Sequence, residues 1–475
     1  MKKQYIYLLF AATLFASCKK SYLVQAPPTA VPIGSSIKTE NDLADAVNGM
    51  YSTLRSSSLF GRDVPMLGDE LADNIYISSS NSGRYLQENN YTFISTNAEA
   101  SDIYSQGYYA ILQANRIIAS NLASSANVNE LKGEAYTVRA LTYLTLVNFF
   151  GTPYTVDATK PGVPLITSPT DPSNPFVKPA RATVAKIYTQ IISDLDSAYT
   201  IMPAAGTTLH PKNSEYLNNF AAKAIEARAY LYKGDYANAL AAALIVIQNG
   251  GYTLTPAASL AAYWANPAPV STKVETIFEL ALNLATNNGT NGLDYMYAQA
   301  GYGDALVTPA LYNLYSATDA RRSLILTSSP TRGAVLVNNK YSNVTNATDK
   351  DDIKIIRYAE VLLTAAEGYA RGGDNVNGLL YLNMVAQKRD PSFAGYTDTG
   401  AALINDIITE RQKELAFEGL RYFDLTRLNV AIVRPQVANS APSIATIPVG
   451  DPRRILPIPQ GEIDANPNTA QNPGY

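Results

Sequence analysis

The 475-residue sequence predicts a mainly α protein, with paired helices as scaffold and a large loop-rich region carrying minor β. Three observations predict it. Apolar residues recur at helical spacing over several long segments. Gly-Asp pairs punctuate those segments. The stretches between them, about 60–100, 151–182, 252–354 and 429–475, are long and rich in Asn, Ser, Thr, Gly and Pro. Loops of that length inside a compact protein usually carry function.

In chain order, the first element is a leader. Lys2 and Lys3 precede an apolar stretch from Tyr5 to Ala16, too short for a comfortable membrane span. Phe15-Ala16-Ser17-Cys18 resembles a bacterial lipobox, so residues 1–17 read as a signal peptide and Cys18 as a lipidation site. Residues 18–35, with Pro27, Pro28 and Pro32, read as a tether, and 36–475 as a single domain. A helix is expected near Glu40–Leu54. Helix pairs follow near 102–150 (Asp102–Leu122 with Val128–Phe150), 184–250, 356–388 and 403–428. In the second, Tyr236, Ala239, Leu240, Ala243, Leu244 and Ile247 form one stripe. In the third, Tyr358, Val361, Leu362, Ala365, Ala366 and Tyr369 repeat it. Gly234-Asp235 and Gly373-Asp374 mark a helix end and the next N-cap. A helix, a Gly-Asp turn and an Ala-rich helix resemble the tetratricopeptide unit. The fourth pair, Leu403–Glu418 with Leu420–Leu428, is expected to pack near Glu40–Leu54.

Composition narrows the chemistry. One Cys and one His exclude a Cys₄ or Cys₂His₂ zinc site and an intrachain disulfide, and a Ser-His-Asp triad would rest on His210 alone. His210, in a loop, is expected at the surface. Lys+Arg number 37 against 40 Asp+Glu, a net charge of −3 that argues against a nucleic-acid partner. Glu410, Glu414 and Glu418, spaced by four, share a helix face with Arg411, Arg421 and Arg427 nearby. They are expected to form an ion network rather than a hydrolase pair, as are Arg357 and Glu360. Tyrosine is abundant, 33 against 12 Phe and one Trp, Trp264. Tyr combines an apolar ring with a polar tip, suited to helix packing and to wet binding surfaces.

A run of blocks carries a family resemblance. Glu134, Arg139, Ala140, Tyr143, Phe150, Gly151 and Pro153 form one, preceded by Asn115 and followed by Arg181, Tyr188 and Asp194. Glu275-Thr-Ile277-Phe278-Glu279 and Asp319-Ala-Arg321 come next. Arg357, Glu360 and Glu367, then Glu410-Arg411 through Glu418-Gly419, Arg421, Asp424 and Arg427, lead to the closing Leu456-Pro457…Asn466-Pro467…Asn472-Pro473-Gly474-Tyr475. In this order, after a lipobox, they resemble the SusD/RagB family of outer-membrane nutrient-binding lipoproteins. The resemblance implies a SusD-like fold with four tetratricopeptide-type helix pairs. It also implies an outer-membrane location, lipid-anchored and facing the cell exterior, with a SusC-like TonB-dependent transporter as partner.

The implied activity is non-catalytic capture of an oligosaccharide and its delivery to the transporter, with the protein acting as a lid. The alternatives are a peptide ligand or a glycoside hydrolase. Sugar capture stacks aromatic faces on pyranose rings and binds hydroxyls with planar polar groups, which points to loops. In the family, contacts come from before the Asn115 helix and between the Glu275–Glu279 strand and Asp319. The candidates there are Asp73, Asn74, Arg84, Tyr85 and Tyr91, with Tyr295, Tyr297 and Tyr302. No catalytic residue, cofactor or metal is expected. Asn287 to Asp294 lacks the carboxylate density of a calcium loop.

Overall fold

A computed structural model describes residues 37–169, 178–265, 273–344 and 351–475. The leader, Cys18 and the tether lie outside the described residues. Among the described residues eleven α-helices have seven or more residues: α1 Glu40–Leu54, α2 Asp63–Glu70, α3 Ala98–Ile118, α4 Ala126–Phe150, α5 Val184–Ile201, α6 Asn219–Lys233, α7 Tyr236–Asn249, α8 Tyr358–Arg371, α9 Asn375–Arg389, α10 Gly400–Leu415 and α11 Arg421–Arg427. From α3 to α8 each packs on the next, and α9 and α10 both pack on α8. Among the described residues no helix is long and apolar enough to cross a membrane.

Local chemistry explains the boundaries. Thr39 and Asp42 form a capping box at the start of α1, satisfying two backbone N–H groups reciprocally. Gly234 ends α6 at φ +76°, a conformation costly for any residue with a Cβ, and Asp235 then caps α7 by accepting from the Asn238 N–H. Asp374 caps α9 in the same way through Asn377. Helix α4 is buried around most of its circumference, with Val138, Leu146 and Phe149 fully enclosed, so it forms the centre of its end of the array. Within it Arg139 makes a two-pronged contact to Asp194 of α5 at 2.8 and 2.6 Å and donates to Asn115 of α3 at 2.8 Å. Three of the family-block residues are thereby one buried tie across three helices.

Three expectations change. The segment 184–250 holds three helices rather than a pair, because α5 stands between α4 and α6. In the last pair, α10 packs on α8 while α11 packs on α2, and Glu40–Leu54 packs at the other end against α3 and α4. The stretch Ile353–Arg357 is a fully buried strand, antiparallel to Thr276–Leu280, so the helix assigned from Ile356 begins at Tyr358. With Lys354 and Arg357 among its isoleucines, the five-residue strand shows neither a clean alternation nor a helical stripe, and its last two residues run straight into the helix that follows.

The loop-rich regions are organised by short two-stranded ribbons. One joins Ile75–Ile77 to Ala305–Val307, antiparallel, with Ile75 opposite Val307 and Ile77 opposite Ala305. A small apolar cluster of Tyr76, Leu306, Val335 and Val337 lies under it, separate from the main core.

Candidate functional site

The ribbon brings together the two stretches proposed to hold ligand. Past its end the chain runs through Ser78–Arg84 on one side and arrives through Tyr295–Asp304 on the other. The Ser78 N–H donates to the Asp304 carbonyl at 2.9 Å. The Ser82 N–H donates to the Asp304 carboxylate at 3.1 Å, and the Ser82 hydroxyl donates to the same oxygen. A third loop closes the group: Arg332 donates to the Tyr302 carbonyl at 3.2 Å, the Ser80 carbonyl at 2.8 Å and Gln299 at 2.9 Å.

On this frame sit three of the proposed residues. The Arg84 guanidinium lies 4.0 Å from the centre of the Tyr302 ring and donates to the Tyr302 hydroxyl at 3.1 Å, although the two are 218 positions apart in sequence. Tyr302 meets Tyr295 edge-on, centroids 5.9 Å apart at 66°. All three are partly exposed. The result is a polar-edged aromatic platform at a loop surface, with one guanidinium preorganised by stacking.

The other candidates are placed elsewhere. Tyr85 is buried and donates to Asp63 at 2.6 Å, and Tyr91 is buried and donates to the Leu71 carbonyl. Both adopt positive φ, 58° and 52°. Their phenols pin a strained loop from inside, which leaves neither ring open at the platform. Tyr297 is fully enclosed and stacks on Tyr341 at 6.0 Å. Asn74 is buried between Asp69 and Gln412, 2.6 and 3.0 Å away. Asp73 lies beyond the opposite end of the ribbon, where Arg421 holds it with two 2.8 Å contacts. Four residues lie between it and Ser78, five steps or roughly 16 Å at the rise of extended chain.

Sequence reasoning missed Arg332 and Gln299. The available signal for the first was its turn, Ser329-Pro330-Thr331-Arg332-Gly333, closed by paired backbone bonds between Ser329 and Gly333. Nothing local marked Gln299.

Two further expectations meet different fates. The glutamates after residue 408 are an ion network, but their partners come from afar. Arg357 reaches Glu275 at 2.6 Å, Glu414 at 2.8 Å and Glu418 at 2.6 Å. Arg389 joins Glu275 and Glu414 at 2.6 and 2.8 Å, and Arg321 lies 3.0 Å from Glu414. Burial alone would raise the Glu414 carboxyl; Arg389, Arg357 and Arg321 together hold it well below the usual carboxylate range. A carboxylate so paired is a poor proton donor, which argues against a general-acid role. Nearer neighbours take other partners: Arg427 binds Glu367 and Asp424, each at 2.7 Å. Trp264 is buried against this network, with Lys340 and Lys354 at 4.4 and 4.6 Å from its ring, and so is unavailable as a sugar platform.

His210 is not at the surface. It is buried, stacked on Tyr216 at 4.1 Å, with Nδ1 2.6 Å from Glu134. The Tyr51 hydroxyl donates to the other Glu134 oxygen. Burial of Glu134 beside an imidazole closes a polar gap between α1, α4 and the loop that joins α5 to α6. Among the described residues no group of three His, Cys, Asp or Glu side chains could hold a metal ion.

Comparison with known proteins agrees with this architecture. Residues 21–231 match a SusD-like family described as starch-binding associating with outer membrane, and 327–475 match the SusD family. Tyr295 and Tyr302 fall between the two stretches. The chain is 27% identical to SusD-like protein P2 of Formosa agariphila, covering all of both chains. A Bacteroides vulgatus structure provisionally assigned as a sugar binding protein is 31% identical, with a TM-score of 0.82 over 93% of this chain and 100% of that one. A SusD superfamily protein from Bacteroides thetaiotaomicron is 29% identical, with a TM-score of 0.82 over 92% and 100%. With the helix array, the buried Arg139 tie and the closing ion network in place along the whole chain, the protein belongs to the SusD/RagB family.

Proposed function

We propose that this chain binds an oligosaccharide without altering it, at the outer membrane and facing the cell exterior, and passes it to a SusC-like TonB-dependent transporter that it covers as a lid. The observation that carries the binding half is the Arg84–Tyr302–Tyr295 platform. It offers two half-exposed phenol rings and a guanidinium held by loop geometry, the surface chemistry that suits a pyranose ring and its hydroxyls. Support for the class of ligand comes from the match to a starch-binding, outer-membrane-associated family. Support for a non-catalytic role comes from the glutamates at 410–418, whose charges are spent on Arg321, Arg357 and Arg389.

Titration calorimetry against a glycan panel tests the reading. Tyr302→Ala and Tyr295→Ala are each expected to weaken binding by about tenfold or more, the worth of one aromatic contact. The buried Tyr297→Phe is expected to leave affinity unchanged. Binding that survives both alanine substitutions would move the site elsewhere, and peptide capture with no glycan bound would replace the ligand class. Release of reducing ends by the purified protein would replace the non-catalytic reading. Co-purification with the transporter tests the lid.

A further inference from the structure

Resting on the oligosaccharide reading, we infer that the ligand is anionic: a sugar chain bearing carboxylate or sulfate groups, with Arg84 as the residue that binds the charge. Arginine at a sugar site can serve neutral hydroxyls, so the argument turns on what surrounds it. Two of its N–H groups are used, by the Ser82 hydroxyl at 3.0 Å and the Tyr302 hydroxyl at 3.1 Å. Both partners are neutral. Among the described residues no carboxylate pairs with Arg84, whereas Arg357, Arg389, Arg421 and Arg427 each hold one or more; Arg322, stacked on Tyr312 without a carboxylate, spends its other contact on the Tyr315 carbonyl.

The acids of the same loops face away. Asp304 is 2% exposed and takes two bonds from Ser82 and a 3.5 Å contact from Arg332. Asp294 is 8% exposed, with one oxygen accepting from the Tyr295 N–H at 3.0 Å. The segments 78–85, 327–334 and 436–443, which border the platform, contain Arg84 and Arg332 but no Asp, Glu or Lys. Asp304 and Arg332 face each other inside the loops, which leaves Arg84 as the partly exposed charge of this surface without an opposite partner among the described residues, against the net −3 of the whole chain.

The geometry suits an acidic sugar. A guanidinium stacked on Tyr302 cannot swing away without losing the ring contact, so its outward edge stays available as a planar fork. The two rings meet at 66°, so a pyranose packed against the face of one of them would bring a ring substituent towards that edge. Carboxylate and sulfate oxygens accept two parallel N–H bonds there, which a single hydroxyl does not.

The test uses the purified full chain and defined hexasaccharides: oligogalacturonate and oligoguluronate for carboxylate, chondroitin sulfate for sulfate ester, and maltohexaose, cellohexaose and xylohexaose as neutral controls. At least one acidic hexasaccharide is expected to bind more tightly than every neutral one. Its affinity is expected to fall as NaCl rises from about 50 to about 500 mM. Arg84→Gln is expected to weaken it by about tenfold to a hundredfold, the range for a hydrogen bond to a charged group. Arg84→Lys keeps the charge and is expected to fall between the two. The side chain is half-exposed and makes no buried ion pair, so thermal melting of both variants is expected to match the parent. Tight binding of a neutral hexasaccharide, unchanged in Arg84→Gln, would overturn the anionic inference and leave the oligosaccharide reading standing. Failure of every hexasaccharide to bind would overturn both.

Discussion

At the scale of single residues, the two groups of charged and aromatic side chains do opposite work. Glu414 touches Arg321, Arg357 and Arg389 inside the protein. Removing one partner of such a group leaves the others charged, desolvated and uncompensated. Glu414→Gln is therefore expected to cost about 3–5 kcal/mol of stability, read from the urea midpoint at constant slope. A shift under about 1 kcal/mol would show that the network relaxes to solvate itself. The same contrast explains how much of the site was legible. Residue type and loop position pointed to eight side chains, and three of them meet on one surface. Tyr295 and Tyr297 belong to one five-residue helical turn. Only the packing of Tyr341 and Phe417 against Tyr297 decides that it faces inward while Tyr295 faces out. No pattern within so short a turn distinguishes them.

At the scale of elements, the long helices were readable and the short ribbons were not. A helix of fourteen or more residues repeats its apolar stripe several times, and Gly-Asp turns mark its ends. The Ile75–Ile77 ribbon has three residues, and its partner is fixed by register with Ala305–Val307, which no local signal encodes. Close backbone approaches were equally hidden. Gly68 of α2 faces the Gly419 loop so tightly that an added Cβ would lie 1.9 Å from the Gly419 carbonyl oxygen. Since α11, which follows that loop, packs on α2, this contact sets how the C-terminal segment docks. Gly68→Ala is expected to destabilise by about 1–3 kcal/mol or more, the usual cost of overpacking a rigid site. Gly49→Ala, where nothing lies within 4 Å, serves as the control. Equal melting temperatures for the two variants would show that α2 shifts freely.

At the scale of the whole molecule, buried acids set the response to pH. Burial raises Asp63 and Asp69 to about 6, and Glu70 to about 8 despite Arg434 nearby. For these groups the folded state holds its proton more tightly than the unfolded chain does. The stabilisation is complete below the unfolded value near 4 and is lost as pH rises through 6 and then 8. Asp424 runs the other way. Burial would raise it, but Arg411 and Arg427 hold it at about 2, so its contribution is present above about pH 4 and lost as pH falls towards 2. The melting temperature is therefore expected to peak near pH ~5 and decline towards pH ~9. Glu70→Gln is expected to flatten the alkaline limb, and a limb of unchanged slope in that variant would assign the decline to other groups. The lipid anchor expected at Cys18 is tested at the same scale: Cys18→Ala is expected to move the protein from the membrane fraction to the soluble one and to abolish incorporation of labelled fatty acid. Retention at the membrane would overturn that expectation.

The ribbon beneath the platform holds its loops through main-chain pairing and through the small apolar cluster of Tyr76, Leu306, Val335 and Val337. Two side-chain ties join the loops above it, Ser82 to Asp304 and Arg332 to Gln299. With those kept, the exposed positions of 79–84 and 298–303 are expected to accept substitution while the helices and their interior salt links go on folding as before. One mount could then present different surfaces to different ligands.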